Sequence, residues 1–278
     1  MNFRFRLFFD KAFKIAVTIL SISVIVPLIL ILFHIGSKGV SSINLHFLIR
    51  DQNFSESGGS GILNSIVGTF LLITIASVFS VPLGIIAGLF LVEVKSRFVE
   101  FVRILVDVLH GIPSIVIGIV TYLLIVKPFG GFSAISGGIA LGLMMFPLVV
   151  KSTEESLRLV PYSLREASFA LGANYVKTIF RVVLPTCIKG IIVGTLIGIS
   201  RIAGETAPLL FTAFGNPYFN INPFKPVNAL PLVIFNYAMS PYEEWHRIAW
   251  GASLVLVGII FLLNMTTKIA GKKWEVQF

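Results

Sequence analysis

Apolar residues dominate the chain in long unbroken runs, without the strict alternation of a half-buried strand or the narrow stripe of a surface helix. Runs at 15–35, 62–92, 104–126, 134–150, 188–213 and 248–270 approach or exceed the roughly 20 apolar residues with which a helix crosses hydrocarbon. The pattern predicts six membrane-spanning helices forming one domain over 1–278. The first run is too long for a cleaved signal peptide and lacks a small-x-small site after it, so it reads as a retained span. The second carries Pro82 and is long for one crossing, which predicts a tilt or kink. Glycines recur in the runs, among them Gly84, Gly88, Gly138, Gly142, Gly194 and Gly198. In lipid, where close packing replaces the hydrophobic drive between helices, such spacing predicts a tight bundle.

The polar positions set the orientation. Sixteen of the 22 Lys and Arg fall on the side that would hold both termini, the 93–103 connection and a long loop at 151–187. Five (Lys38, Arg50, Lys127, Lys225 and Arg247) fall on the opposite side, and Arg201 is the remaining one. The positive-inside rule then makes both termini and the 151–187 loop cytoplasmic. Two outer segments are long. Residues 36–61 contain the Ser/Gly run from Ser55 and an Asn53 sequon that reads as chance; residues 214–247 are rich in proline and aromatics ("FGNPYFNINPF") and read as an ordered cap or re-entrant element.

Composition narrows the function. With 56% hydrophobic and 13% charged residues, the chain has too little polar material to cover a water-soluble domain. One cysteine, Cys187, excludes an intrachain disulfide, and four scattered histidines (His34, His46, His110, His246) have no ligand spacing, so no metal or other cofactor is expected. No histidine–carboxylate cluster or nucleophile motif points to a membrane-embedded enzyme. No G-x-x-x-x-G-K-[ST] occurs, so any ATP hydrolysis belongs to another chain. No internal repeat supports a repeat-built secondary carrier.

The loop "KSTEESLRLVPYSLREASFALGANYVKTIFRVVLP", Lys151 to Pro185, carries structure of its own. Pro161 biases Val160 out of helix, a short helix follows over 162–171, Gly172 suits the left-handed position after it, and Asn174 is placed to cap a second helix from Tyr175. Leu164, Ala167, Ala170 and Leu171 share one face of the first helix. That face either docks in a partner's groove or lies on the membrane surface.

Within this loop Glu166-Ala167-Ser168, then Gly172, then Val182-x-Leu184-Pro185 follow the spacing of the EAA signature of binding-protein-dependent ABC importer permeases, with serine for the second alanine and valine for isoleucine. "HGIPSIVIGI" (110–119) and "RIAGETAPLL" (201–210) resemble the phosphate-importing branch of that family, whose usual R-A-x-G-E-T-A-P departs here at Ile202 and Ala203. The resemblance covers nearly the whole chain. It implies an all-α integral membrane fold, a six-helix type I ABC importer permease bundle with a cytoplasmic coupling helix, in a bacterial inner membrane. It also implies partners: a second, PstC-like permease subunit, a cytoplasmic ATP-binding subunit dimer and an extracytoplasmic phosphate-binding protein, with phosphate as cargo and no nucleic acid. Glu166, Ala167, Ser168 and Gly172 would then form the ATPase-coupling element, and the chain itself would be no enzyme.

Arg201 and Glu205 sit inside the fifth apolar run, near half depth and four residues apart, a spacing that puts them on one helical face. An arginine there costs roughly 2.5–3.5 kcal/mol on insertion scales. Two readings stand: a self-neutralising pair that stiffens packing, and, with Thr206, a polar lining of a translocation path. The second explains why charge is kept where leucine or alanine would pack freely. Asp107, beside His110, reads as interfacial and is a lesser path candidate. The competing functions are an ABC permease for another oxyanion and an ion-coupled carrier using Arg201 and Glu205 as a relay.

Overall fold

The computed structural model describes residues 3–51 and 61–273. The Asn53 sequon and the Ser/Gly run from Ser55 to Ser60 lie outside the described residues. Regular structure among the described residues is helical, with one isolated parallel bridge, Phe214 to Val227. The order is α1 (Phe3–Gly39), α2 (Leu45–Ile49), α3 (Leu63–Glu93), α4 (Arg97–Gly111), α5 (Ser114–Thr121), α6 (Lys127–Phe129), α7 (Ala134–Arg158), α8 (Tyr162–Ala170), α9 (Tyr175–Thr178), α10 (Leu184–Ile202), α11 (Ala207–Thr212), α12 (Leu230–Ala238) and α13 (Glu243–Lys273). Wide π turns over Tyr122–Val126 and Ile179–Val183 join α5 to α6 and α9 to α10 without a break. Among the described residues α1, α3, α7, the α9–α10 rod and α13 are each long and apolar enough to cross a bilayer.

The bundle is built around α7. Its glycines and those of its neighbours let backbones approach where lipid supplies no hydrophobic drive. A methyl on Gly84 would lie 2.7 Å from Val149 Cγ1, and one on Gly88 would lie 2.6 Å from Thr153 Cβ, so α3 presses directly on α7. Along the same contact Ser80 donates to the Gly142 carbonyl at 2.6 Å. Gly190 and Gly194 of α10 similarly abut Ser156 and Ser152 of α7. Leu141, Met145 and Val149 are fully buried as a result, with Leu72 and Ala76 of α3 and Ile202, Leu209 and Leu232 packed around them. By contrast α1 stands at the periphery, its apolar residues from Phe13 to Phe33 exposed, touching α13 where His34 meets the Trp250 ring edge-on with centroids 5.1 Å apart.

The proline-rich segment at 214–229 caps this central helix. The first N–H groups of any helix lack intrahelical partners. At the start of α7, Ala134 N donates to the Lys225 carbonyl at 3.0 Å and Ile135 N to the Pro223 carbonyl at 2.9 Å, while Ser133 Oγ accepts from Ser136 N.

Three elements differ from the hydropathy pattern. The run at 104–126 is not one straight helix: α4 and the α5–α6 rod meet at 102°. Pro113 has no N–H to give the preceding turn, and Ile112 is extended at φ −69°, ψ 131°. The run at 134–150 continues as helix to Arg158, because its charges find partners: Lys151 with Asp107 at 2.6 Å, and Glu154 with Arg103 at 2.8 Å and Arg158 at 2.6 Å. The run at 188–213 instead begins at Tyr175 and stops at Ile202. The π turn at Ile179–Val183 accommodates Pro185, whose missing donor would otherwise orphan a carbonyl. Glycine at 204 and proline at 208 then end the rod, and α11 starts as a separate short helix. The 151–187 loop therefore shrinks to α8 and its two turns.

The α3–α7 contact carries a prediction. Gly88→Ala places a methyl 2.9 Å from the Val150 carbonyl as well as against Thr153, and overpacking of this kind costs about 1–3 kcal/mol. Thermal unfolding in detergent is expected to shift down by several degrees. Gly258→Ala, where nothing lies within 4 Å, is expected to leave it unchanged or raised.

Candidate functional site

The break between α10 and α11 holds all three residues assigned to the path. Arg201 occupies the last turn of α10, where a cation complements the partial negative end of the helix, and its side chain is exposed. Glu205 and Thr206 follow in the irregular segment and are half-buried. Glu205 N reaches back to the Ile202 carbonyl at 3.2 Å, and the Thr206 carbonyl accepts from Leu209 N at 3.1 Å and Leu210 N at 3.3 Å, opening α11.

The geometry corrects one expectation. Arg201 and Glu205 are not one turn apart on a common helical face, because the helix ends between them; nor does Arg201 sit halfway along its helix. Among the described residues no ion pair joins them, and neither side chain has a hydrogen-bond partner. The self-neutralising pair is thus not what the fold builds. Packing, not charge, holds the break in place. Ile202, Ala203, Pro208 and Leu209 are buried on either side of it. Gly118 of α5 lets Pro208 approach so closely that a methyl there would sit 2.7 Å from Pro208 Cα. Behind the break the space between Thr69, Leu72, Leu141 and Ile202 is too narrow for water, while Arg201 faces the outer surface of this chain. What the break offers is a guanidinium with five uncommitted donors, a carboxylate acceptor and a hydroxyl: the donor set for a tetrahedral oxyanion that carries a proton.

The second group lies on α8. Pro161 precedes it and Gly172, at φ 80°, ends it in a Schellman turn: Gly172 N donates to the Phe169 carbonyl at 2.9 Å and Ala173 N to the Ser168 carbonyl at 3.1 Å. Asn174 Oδ1 accepts from Lys177 N at 2.8 Å and starts the next rod. The apolar stripe read from the sequence is split. Leu164 turns inward onto a cluster with Leu157, Val160 and Ile179, while Ala167, Ala170 and Leu171 face outward. Glu166, Ala167 and Gly172 are exposed. Ser168 is buried and shares a 2.9 Å hydrogen bond with Thr178, itself 1% exposed. A serine in that position is therefore matched by a second hydroxyl ten residues on.

Asp107 is paired with Lys151 at 2.6 Å. His246 Nε2 lies 2.7 Å from the Ser240 carbonyl and His34 packs on Trp250. No group of His, Cys, Asp or Glu among the described residues could hold a metal ion. The sequence reading missed a half-buried fork at the end of α3: Arg165 Nη1 and Nη2 donate to Glu93 Oε2 and Oε1 at 2.8 and 2.6 Å, and the Tyr175 hydroxyl donates to Oε2 at 2.5 Å. Nothing in spacing signals a contact across 72 residues.

A sequence model of the family described as binding-protein-dependent transport system inner membrane component matches residues 80–273. The chain is 41% identical over 244 residues to the phosphate transport system permease protein PstA of Yersinia pestis, covering 87% of this chain and 83% of that one. It is 38% identical over 259 residues to the probable phosphate transport system permease protein PstA of Methanocaldococcus jannaschii, covering 92% and 91%. Of solved structures, a bacterial ABC transporter involved in the import of the acidic polysaccharide alginate aligns at TM-score 0.64 and 16% identity, over 98% of this chain and all of the other. An inward-facing MetNI methionine ABC transporter aligns at 0.61 and 18%, over 77% and 94%. At such identities the likeness is one of fold, that of ABC importer permeases.

The Ser168–Thr178 bond predicts non-additive mutants. Ser168→Ala strands the Thr178 hydroxyl in a buried site and is expected to cost about 1–3 kcal/mol of local stability. Adding Thr178→Val is expected to recover most of it. Amide-exchange protection of residues 162–178 measures both.

Proposed function

We propose, from the premise that this chain belongs to the family of binding-protein-dependent transport system inner membrane components and to its PstA branch, that it is a membrane permease subunit of an ATP-driven phosphate importer. The observation that carries the reading is Arg201. It ends an apolar helix beside an irregular break, and its guanidinium is exposed with no protein partner among the described residues. A charge kept there needs a ligand, and a planar fork matches two phosphate oxygens. Because Arg201 faces the outer surface of the chain, the path would run between this subunit and a second, PstC-like permease that covers that face.

Glu205 and Thr206 complete the lining. The carboxylate accepts a hydrogen bond from a protonated phosphate oxygen; fully ionised sulfate has no proton to give and meets repulsion. It also tempers the attraction of Arg201, so the anion leaves as well as enters. The excess of basic residues supports a cytoplasmic position for both termini and for α8. There the exposed rim of Tyr162, Glu166, Ala167 and Leu171, presented by the Gly172 turn, would dock in the ATP-binding subunits, while an extracytoplasmic phosphate-binding protein delivers cargo to the other side.

Phosphate uptake by the assembled complex tests this. Arg201→Ala is expected to lower uptake about tenfold or more, the loss of roughly one charge-assisted contact, and Arg201→Lys to retain part of it. Glu205→Gln is expected to relax the exclusion of sulfate. Wild-type uptake and selectivity in all three, with subunits co-purifying normally, overturns the assignment.

A further inference from the structure

The Glu93–Arg165–Tyr175 fork has no place in the path and joins two parts of the molecule that are otherwise weakly tied. On α8 the exposed residues outnumber the buried: only Ser168 is buried, with Leu164 and Arg165 half-buried. Its apolar hold on the bundle is Leu164, against a cluster that includes Leu89 and Val92 of α3. Among the described residues two of its side chains are hydrogen-bonded, and they reach different places. Ser168 binds Thr178, within the same loop. Arg165 binds Glu93, the last residue of α3.

That second link is built for rigidity. Both side chains are largely enclosed, Arg165 at 12% and Glu93 at 10% exposure. Two parallel N–H···O bonds fix the guanidinium and carboxylate in one plane, which a single contact to a lysine would not do. The Tyr175 phenol adds a third donor from the start of the α9–α10 rod. Such a pair adds little net stability, since apolar residues of similar volume often serve as well or better. What it supplies is a fixed relative position of three elements. Gly88, five residues before Glu93, is where α3 bears on α7.

We infer that Glu93, Arg165 and Tyr175 are positioning residues for energy coupling, forming the joint through which a displacement of α8 is delivered to α3 and thence to α7. The inference rests on the reading of α8 as the ATPase-docking helix. A push on α8 without the fork would rotate the short helix about its proline and glycine ends; with it, the push acts on the end of a 31-residue helix.

The test uses the whole complex, with both permeases, the ATP-binding subunits and the binding protein, in proteoliposomes. Phosphate uptake and ATP hydrolysis are measured together. Glu93→Gln and the milder Tyr175→Phe are expected to assemble with undiminished ATP-binding subunits, while phosphate taken up per ATP hydrolysed falls, by about tenfold for Glu93→Gln. The exchanged pair Glu93→Arg with Arg165→Glu is expected to restore most of that ratio. An unchanged ratio in both single variants, a swap no better than they are, or loss of the ATP-binding subunits from the complex overturns the inference. A wild-type complex that takes up no phosphate sinks the proposed cargo instead; the joint is then judged by whether ATP hydrolysis still responds to the binding protein in wild type but not in Glu93→Gln.

Discussion

Close backbone approach at α7 is the constraint on which this structure depends. Inside a bilayer a leucine gains nothing by leaving lipid for protein, so helices associate through packing at short range. Gly84 and Gly88 of α3 and Gly190 and Gly194 of α10 face α7 from two sides, and each occupies a place where even a methyl would meet side chain or backbone. Everything else hangs from that sandwich. The buried cluster of Leu72, Leu141, Met145 and Ile202 forms because the backbones are near, and the break after Ile202 is held by the same cluster.

The charges divide into two classes by what they touch. Near the basic end Asp107, Arg103, Glu154, Arg158, Glu93 and Arg165 all find partners between 2.6 and 2.9 Å, tying α4, α7, α8 and α3 together. These pairs explain why α7 runs past its apolar stretch. Arg201 and Glu205 stand outside this network, with no ion pair or side-chain hydrogen bond among the described residues.

The breaks themselves follow from proline and glycine acting at the backbone. Pro113 turns the third apolar run through 102°, and Pro208 with Gly204 ends the fifth just after Arg201. The turned segment, α5, then returns to pack Gly118 on Pro208, so the two breaks support each other. Pro185 causes no break, because a π turn ahead of it takes up the missing hydrogen bond.

By itself the sequence determined that the chain crosses a membrane several times, which residues flank the crossings, and where α8 begins and ends. These are local matters: apolar length, basic flanks, Pro161 before a helix and Gly172 after it act within a few residues. The tertiary structure decided the rest. Hydropathy averages over a window and does not register a lost hydrogen bond, so it merged α4 with α5 and extended the fifth span across Ala203–Thr206. The i, i+4 rule placed Glu205 beside Arg201 only on the assumption of continuous helix. Ion pairs across 51 and 72 residues, Arg103 to Glu154 and Arg165 to Glu93, leave no mark on local pattern, because a charge that has found a distant partner and a charge that awaits a ligand look the same until the chain is folded.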